Sequence, residues 1–171
     1  TGSSFVNGKA QNILEYPEKV NYTNLETGGN VYFVNYDMVQ SEILLLAKGE
    51  LFNSNKMAAS MLFNTYFGRG LSSIVFQEIR ESKSLAYSAF SSYNIASESE
   101  KPDYTMAYVG TQANKLEQAV KAMMELMSNM PQVEDQFNQA KAATLKKIAS
   151  QRITKSNIFW SYESLKKRGI N

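Results

Sequence analysis

The chain has 171 residues, 43% of them hydrophobic and 12% aromatic, which is enough apolar material for one domain with a sizeable core. Its 18 basic and 16 acidic residues leave a net charge of +2, so no global field favours nucleic acid or an anionic membrane. There is no cysteine and no histidine, which excludes disulfides, thiolate sites, Ser-His-Asp or Cys-His catalysis and histidine-type zinc sites. No run approaches the ~18 apolar residues of a membrane span.

Residues 1–30 are polar and interrupted by Pro17 and Gly28-Gly29. They read as a linker or mostly irregular lead-in, with one short element near Ile13-Leu14. Thr1-Gly2-Ser3-Ser4 lacks the features of a signal peptide and reads as an internal start. The domain itself is expected over 31–171. It opens with Val31-Tyr32-Phe33-Val34-Asn35-Tyr36, a β-branched and aromatic run that reads as a strand. Glu42-Ile43-Leu44-Leu45-Leu46-Ala47 is continuously apolar after its first residue. Its length suits a buried central strand, and a helix segment fits the pattern as well.

Ser54 or Asn55 is placed to cap a helix whose stripe is Met57, Ala58, Met61, Leu62 and Tyr66. Gly68 and Gly70 end it, with left-handed backbone expected there. A second helix is expected over Ser72–Lys83, with Ile74, Val75, Ile79 and Phe76 inward. The period then changes to two. Tyr87, Ala89, Ser91, Tyr93 and Ile95 fall on one strand face, and Ser88, Phe90, Ser92 and Asn94 on the other. A polar hairpin over Ala96–Lys101 leads to a second alternating run, Tyr104–Thr111. Asn114 with Glu117 has capping-box spacing before a stripe of Leu116, Val120, Met123, Met124 and Met127. Pro131 suits the first turn of a helix running through Phe137, Ala140, Thr144 and Ile148. A last helix, with Phe159, Tyr162 and Leu165, ends in Lys166-Lys167-Arg168 and Gly169. This order predicts an α+β two-layer sandwich: a mostly antiparallel sheet with helices on one face.

Most conspicuous residues have ordinary readings. Gly68-Arg69-Gly70 follows a helix rather than a strand and is not completed by the Lys-Ser/Thr of a phosphate loop, so it reads as a helix-helix turn. Lys166-Lys167-Arg168 complements a helix C-terminus, and the methionines of 123–127 read as core filler. Arg80 and Tyr87 are equally unremarkable on pattern alone.

The stretch 67–88 nevertheless carries a specific pattern. Phe67-Gly68-Arg69-Gly70-Leu71-Ser72-Ser73, Phe76-Gln77-Glu78-Ile79-Arg80-Glu81 and Leu85-Ala86-Tyr87-Ser88 resemble one half of the pitrilysin/insulinase family of zinc metallopeptidases. That family includes the mitochondrial processing peptidase. Two departures stand out: Arg69 replaces a small residue, and Lys83-Ser84 replaces the more usual Arg-Gly. Weaker agreement in element order extends from Val31 to the end.

Family members are homologous halves closing around a peptide. One half binds zinc through a His-x-x-Glu-His helix. A chain without histidine resembles the other half, which binds no metal. The resemblance therefore implies a non-zinc-binding, substrate-clamping domain, inactive alone, whose partners are a zinc-binding half (same polypeptide or separate subunit) and a peptide substrate. Zinc would sit in that partner half. Arg80 and Tyr87, seven residues apart, match the family's substrate-binding arginine and tyrosine. The resemblance also implies that the family's domain continues beyond residue 171. A non-catalytic scaffold or assembly module derived from the same family is the alternative. Compartment is not legible from the residues; such peptidases suggest the bacterial cell envelope.

Overall fold

The computed structural model describes residues 5–6, 9–10, 29, 32, 34 and 36–170. Residues 1–36 and 37–171 form two separate units. In the first, β1 (Phe5–Val6) pairs antiparallel with β2 (Lys9–Ala10), Val6 opposite Lys9. The element anticipated near Ile13-Leu14 lies outside the described residues. Of the strand anticipated over 31–36, Tyr32, Val34 and Tyr36 belong to no strand, and the remaining positions lie outside the described residues.

The second unit is built on a three-stranded antiparallel sheet of β3 (Gln40–Leu51), β4 (Ser88–Asn94) and β5 (Pro102–Gln112), in the order β3-β5-β4. The register pairs Ile43 with Val109 and Leu45 with Ala107 on one side of β5, and Ala89 with Val109 and Ser91 with Ala107 on the other. The centre of the sheet is therefore β5, and the apolar run 42–47 sits on an edge strand. Its odd-numbered side chains, Ile43 and Leu45, pack on the core, while Leu44 and Leu46 are exposed. Among the described residues no element covers the face those two occupy, leaving it bare, so an unbroken apolar run does not mean burial on both faces.

Helices cover the opposite face. α1 (Met57–Phe63) is reached through a short turn that Asn53 caps, its side chain accepting from Asn55 N–H at 3.0 Å. The capping residue thus precedes both candidates, Ser54 and Asn55. α1 continues as a π-turn over Asn64–Gly68, closed by Arg69 N–H donating to Asn64 O at 2.7 Å. Gly68 is required by close packing rather than by a left-handed cap: a Cβ there would stand 2.1 Å from Ser91 O on β4. The left-handed residue is Gly70, at φ 94°. The Asn64 side chain seals the outer edge of β4 by donating to Tyr93 O and accepting from Tyr93 N–H.

α2 (Phe76–Ser82) is wound as a π-helix and entered through 74–75, with Ser73 Oγ accepting from Phe76 N–H at 3.3 Å. Ile74, Val75 and Ile79 are fully buried, as the sequence stripe requires. α3 (Leu116–Ser128) buries Ala119, Ala122, Met123 and Leu126, while Met124 and Leu116 face out. The stripe is rotated from the expected one because small alanines let the helix lie close to the sheet. No capping box forms, since the helix is entered through a 3-10 turn at Ala113–Lys115. α4 (Glu134–Ser150) begins three residues after Pro131. Tyr66 fixes that approach, its hydroxyl donating to Pro131 O at 2.6 Å and accepting from Val133 N–H at 2.9 Å. α5 (Ile158–Lys167) ends as expected at Gly169, φ 70°, and Arg168 Nε donates to Ala96 O at 3.0 Å in the hairpin.

The core unites the helical residues Phe67, Ile74, Val75, Ile79 and Met123 with Ala89, Ala107 and Val109 of the sheet. Each large member of such a core contributes about 1.5–3 kcal/mol by leaving water. Asp103 is buried at 1% exposure, and both its carboxylate oxygens are used: they accept from the Tyr93 hydroxyl and from Ala96 N–H, each at 2.8 Å.

Candidate functional site

Arg80 lies in the last turn of α2, where a cation is favourable. Its guanidinium covers the Phe76 ring, 4.9 Å from the centroid, and Nε is 3.6 Å from Glu81 Oε1. That ion pair is exposed and long, the kind that contributes little. After α2 the chain turns at Ser84, whose φ of 48° is the one positive value outside glycine among the described residues. Ser84 stands where the family pattern usually has glycine, which adopts this conformation without strain.

Beyond the turn, Tyr87 N–H donates to Gly110 O at 3.0 Å. Alternation would put the Tyr87 side chain on the core face with Ala89 and Ser91. Instead it lies on the bare face, because the regular strand starts only at Ser88. The ring rests on Gly110, whose neighbours Val109 and Thr111 point into the core. From there the phenol crosses β5 and donates to Gln40 Oε1 of β3 at 3.3 Å. Tyr87 remains 42% exposed.

Around it the bare face is aromatic. Phe90 of β4 stacks on Tyr108 of β5, centroids 5.2 Å apart, and Leu44 lies opposite Tyr108 in register. Burial pushes the Tyr108 phenol above its ordinary value of 10.0, and the neighbouring Glu42 carboxylate adds to the rise. Among the described residues no hydrogen bond or ion pair joins Arg80 to Tyr87, so each side chain is separately presented and exposed. Gly110, Gln40 and Tyr108 escaped the sequence reading. A glycine inside an alternating strand was the available signal, since it marks a close approach. The helical side carries a different feature, an apolar groove of about 600 Å³ whose walls include Leu62, Tyr66, Val133 and Phe137 but neither Arg80 nor Tyr87.

The sheet face around Tyr87 offers phenols, one carboxamide and apolar area. Among the described residues no group of three or more His, Cys, Asp or Glu side chains is arranged to hold a metal ion. The sequence has no histidine or cysteine, the nitrogen and sulfur ligands of zinc.

Comparison with known proteins decides the family. The model of the peptidase M16 inactive domain matches residues 7–144. The chain belongs to that family. The resemblance carried by residues 67–88 is thereby borne out. A protein from Rickettsia felis named an uncharacterized zinc protease is 31% identical over 132 residues, 77% of this chain and 31% of that protein. One of the same name from Rickettsia bellii is 37% identical over 82 residues, 47% of this chain and 20% of that one. The chain thus spans less than a third of either curated relative. Two solved structures share the α+β fold. A peptidase M16 inactive domain from Pseudomonas fluorescens has TM-score 0.60 and 18% identity, covering 80% of this chain and 32% of its own. A protease from Helicobacter pylori has TM-score 0.62 and 17% identity, covering 77% and 32%. No helix among the described residues is long and apolar enough to cross a membrane.

Proposed function

We propose that this M16 inactive domain clamps a peptide for a zinc-bearing partner half, with Tyr87 and Arg80 donating hydrogen bonds to peptide carbonyls at or beside the scissile bond. The partner half, on the same polypeptide or a separate subunit, supplies the zinc and the bond-breaking chemistry. This chain by itself is inactive.

One observation carries the reading: the Tyr87 phenol is exposed on a bare aromatic face and held there by a slack bond. At 3.3 Å its contact with Gln40 is longer than the usual 2.5–3.0 Å for a hydroxyl donor, so exchanging it for a peptide carbonyl costs little. The 3.6 Å pairing of Arg80 with Glu81 is equally easy to give up. Hydrolysis builds negative charge on the scissile carbonyl oxygen, and one donor aimed at such an oxygen is worth about 10²–10³ in rate.

The test is peptide hydrolysis by the complete protein that contains this chain. Tyr87→Phe, which removes the hydroxyl alone, lowers kcat/KM by about 10²–10³, and Arg80→Ala acts in the same direction. Unchanged kcat/KM in both variants contradicts the clamp. A complete wild-type protein that hydrolyses no peptide points to the scaffold or assembly module instead.

A further inference from the structure

We propose that Gly110 and Thr111 are positioning residues for Tyr87, together forming the seat that aims its phenol across the bare face. The inference rests on the clamp reading for its functional consequence, but the seat itself is a property of this chain.

Tyr87 lies just outside β4, so strand geometry does not dictate where its side chain points. Three contacts from one short segment of β5 and its sequel do. Gly110 O accepts from Tyr87 N–H at 3.0 Å. Thr111, 1% exposed, donates from Oγ1 to Leu85 O at 2.5 Å, two residues ahead of the tyrosine. Lys115 Nζ donates to Ser84 O at 3.0 Å, at the turn itself. On the far side, Leu85 N–H donates to Ile79 O at 3.0 Å, tying the connection back to α2. The backbone that delivers Tyr87 is therefore fixed on both sides.

Gly110 then fixes the ring. A Cβ at this position would stand 2.9 Å from Cε2 and Cζ of Tyr87, closer than real Cβ atoms approach, and 3.0 Å from its hydroxyl oxygen, a tight contact. Any other residue here displaces the phenol. Space rather than backbone freedom selects this glycine, because it has no positive φ. A glycine inside a strand weakens a sheet, so a residue with that liability in the central strand, paired with Glu42 on one side and Ser88 on the other, is explained by what lies upon it. The seat recognises no ligand; it sets where the Tyr87 hydroxyl stands.

The experiment uses the complete protein with ¹³C-labelled tyrosine, the Tyr87 ring signal being identified by its loss in Tyr87→Phe. Gly110→Ala shifts that signal without any substrate present. It also lowers kcat/KM for peptide hydrolysis by tenfold or more, yet by less than about twofold in a Tyr87→Phe background, since a lost hydroxyl cannot be lost again. Thr111→Val acts likewise but more weakly, and Thr111→Ser, which keeps the donor, restores most of the activity. An unmoved Tyr87 signal in both Gly110→Ala and Thr111→Val overturns the seat, as does a Gly110→Ala loss of equal size in the two backgrounds. A shifted signal with Tyr87→Phe itself fully active upholds the seat and removes the clamp.

Discussion

The two faces of the three-stranded sheet come from the same strands and are composed in opposite ways. Toward the helices β4 and β5 present small side chains: Ala89, Ser91, Ala107 and Val109, with Thr111 beside them, all 6% exposed or less. The bulk of the core there comes from the helices, through Phe67, Ile74, Ile79 and Met123. Away from the helices the sheet presents large residues: Leu44, Leu46, Phe90, Tyr104, Tyr108 and Tyr87. Were burial alone shaping the composition, the large residues would face the helices. Extended apolar patches on a surface mark interaction sites, and the clamp proposed above uses this one.

The contrast can be broken most forcefully from the helical side. Ile79→Ala removes a side chain of 0% exposure and is expected to cost about 2–5 kcal/mol in urea unfolding; a cost below about 1 kcal/mol would mean that this face is not the core.

A second test is alkaline pH. The hydrogen bond to Asp103, and then burial, raise the Tyr93 phenol above its ordinary value of 10.0. Its folded pKa therefore exceeds its unfolded one, so the stabilisation is complete below pH 10.0 and is lost as pH rises through the folded value. The urea midpoint should fall above pH 10.0, and Tyr93→Phe should flatten that fall. Tyr108, raised chiefly by burial, contributes with the same sign. A midpoint that rose with alkaline pH would invert the assignment.

The crossing from one face to the other is the third place to probe. Ser84→Gly relieves the φ of 48° and is expected to stabilise by about 1 kcal/mol, read as a higher urea midpoint. The smallest effect belongs to the bare face, where Leu44→Ser should change stability by less than about 0.5 kcal/mol. A loss as large as that of Ile79→Ala would erase the distinction between the faces.

Much of this was legible in the residues. The period-two runs expected over 87–95 and 104–111, which form β4 and β5, the buried stripe Ile74, Val75 and Ile79, and the Gly169 cap follow from local pattern, which sequence carries directly. The family pattern over 67–88 singled out Arg80 and Tyr87. What escaped depends on partners distant in sequence. Whether 42–47 is central or edge is decided by β5, some sixty residues later. The rotation of α3 is decided by how near its alanines come to the sheet, and the face taken by Tyr87 by the absence of a side chain at Gly110. Asn53 was missed for a smaller reason, a helix entered through a 3-10 turn that moves the cap upstream.

The most direct measurement is tyrosine-detected NMR of the complete protein titrated with a peptide carrying a non-hydrolysable bond. The account predicts that the Tyr87 and Tyr108 signals shift on binding while those of Tyr66 and Tyr93, engaged on the helical side and at the buried Asp103, stay in place. Saturable binding with Tyr87 and Tyr108 unmoved would contradict it.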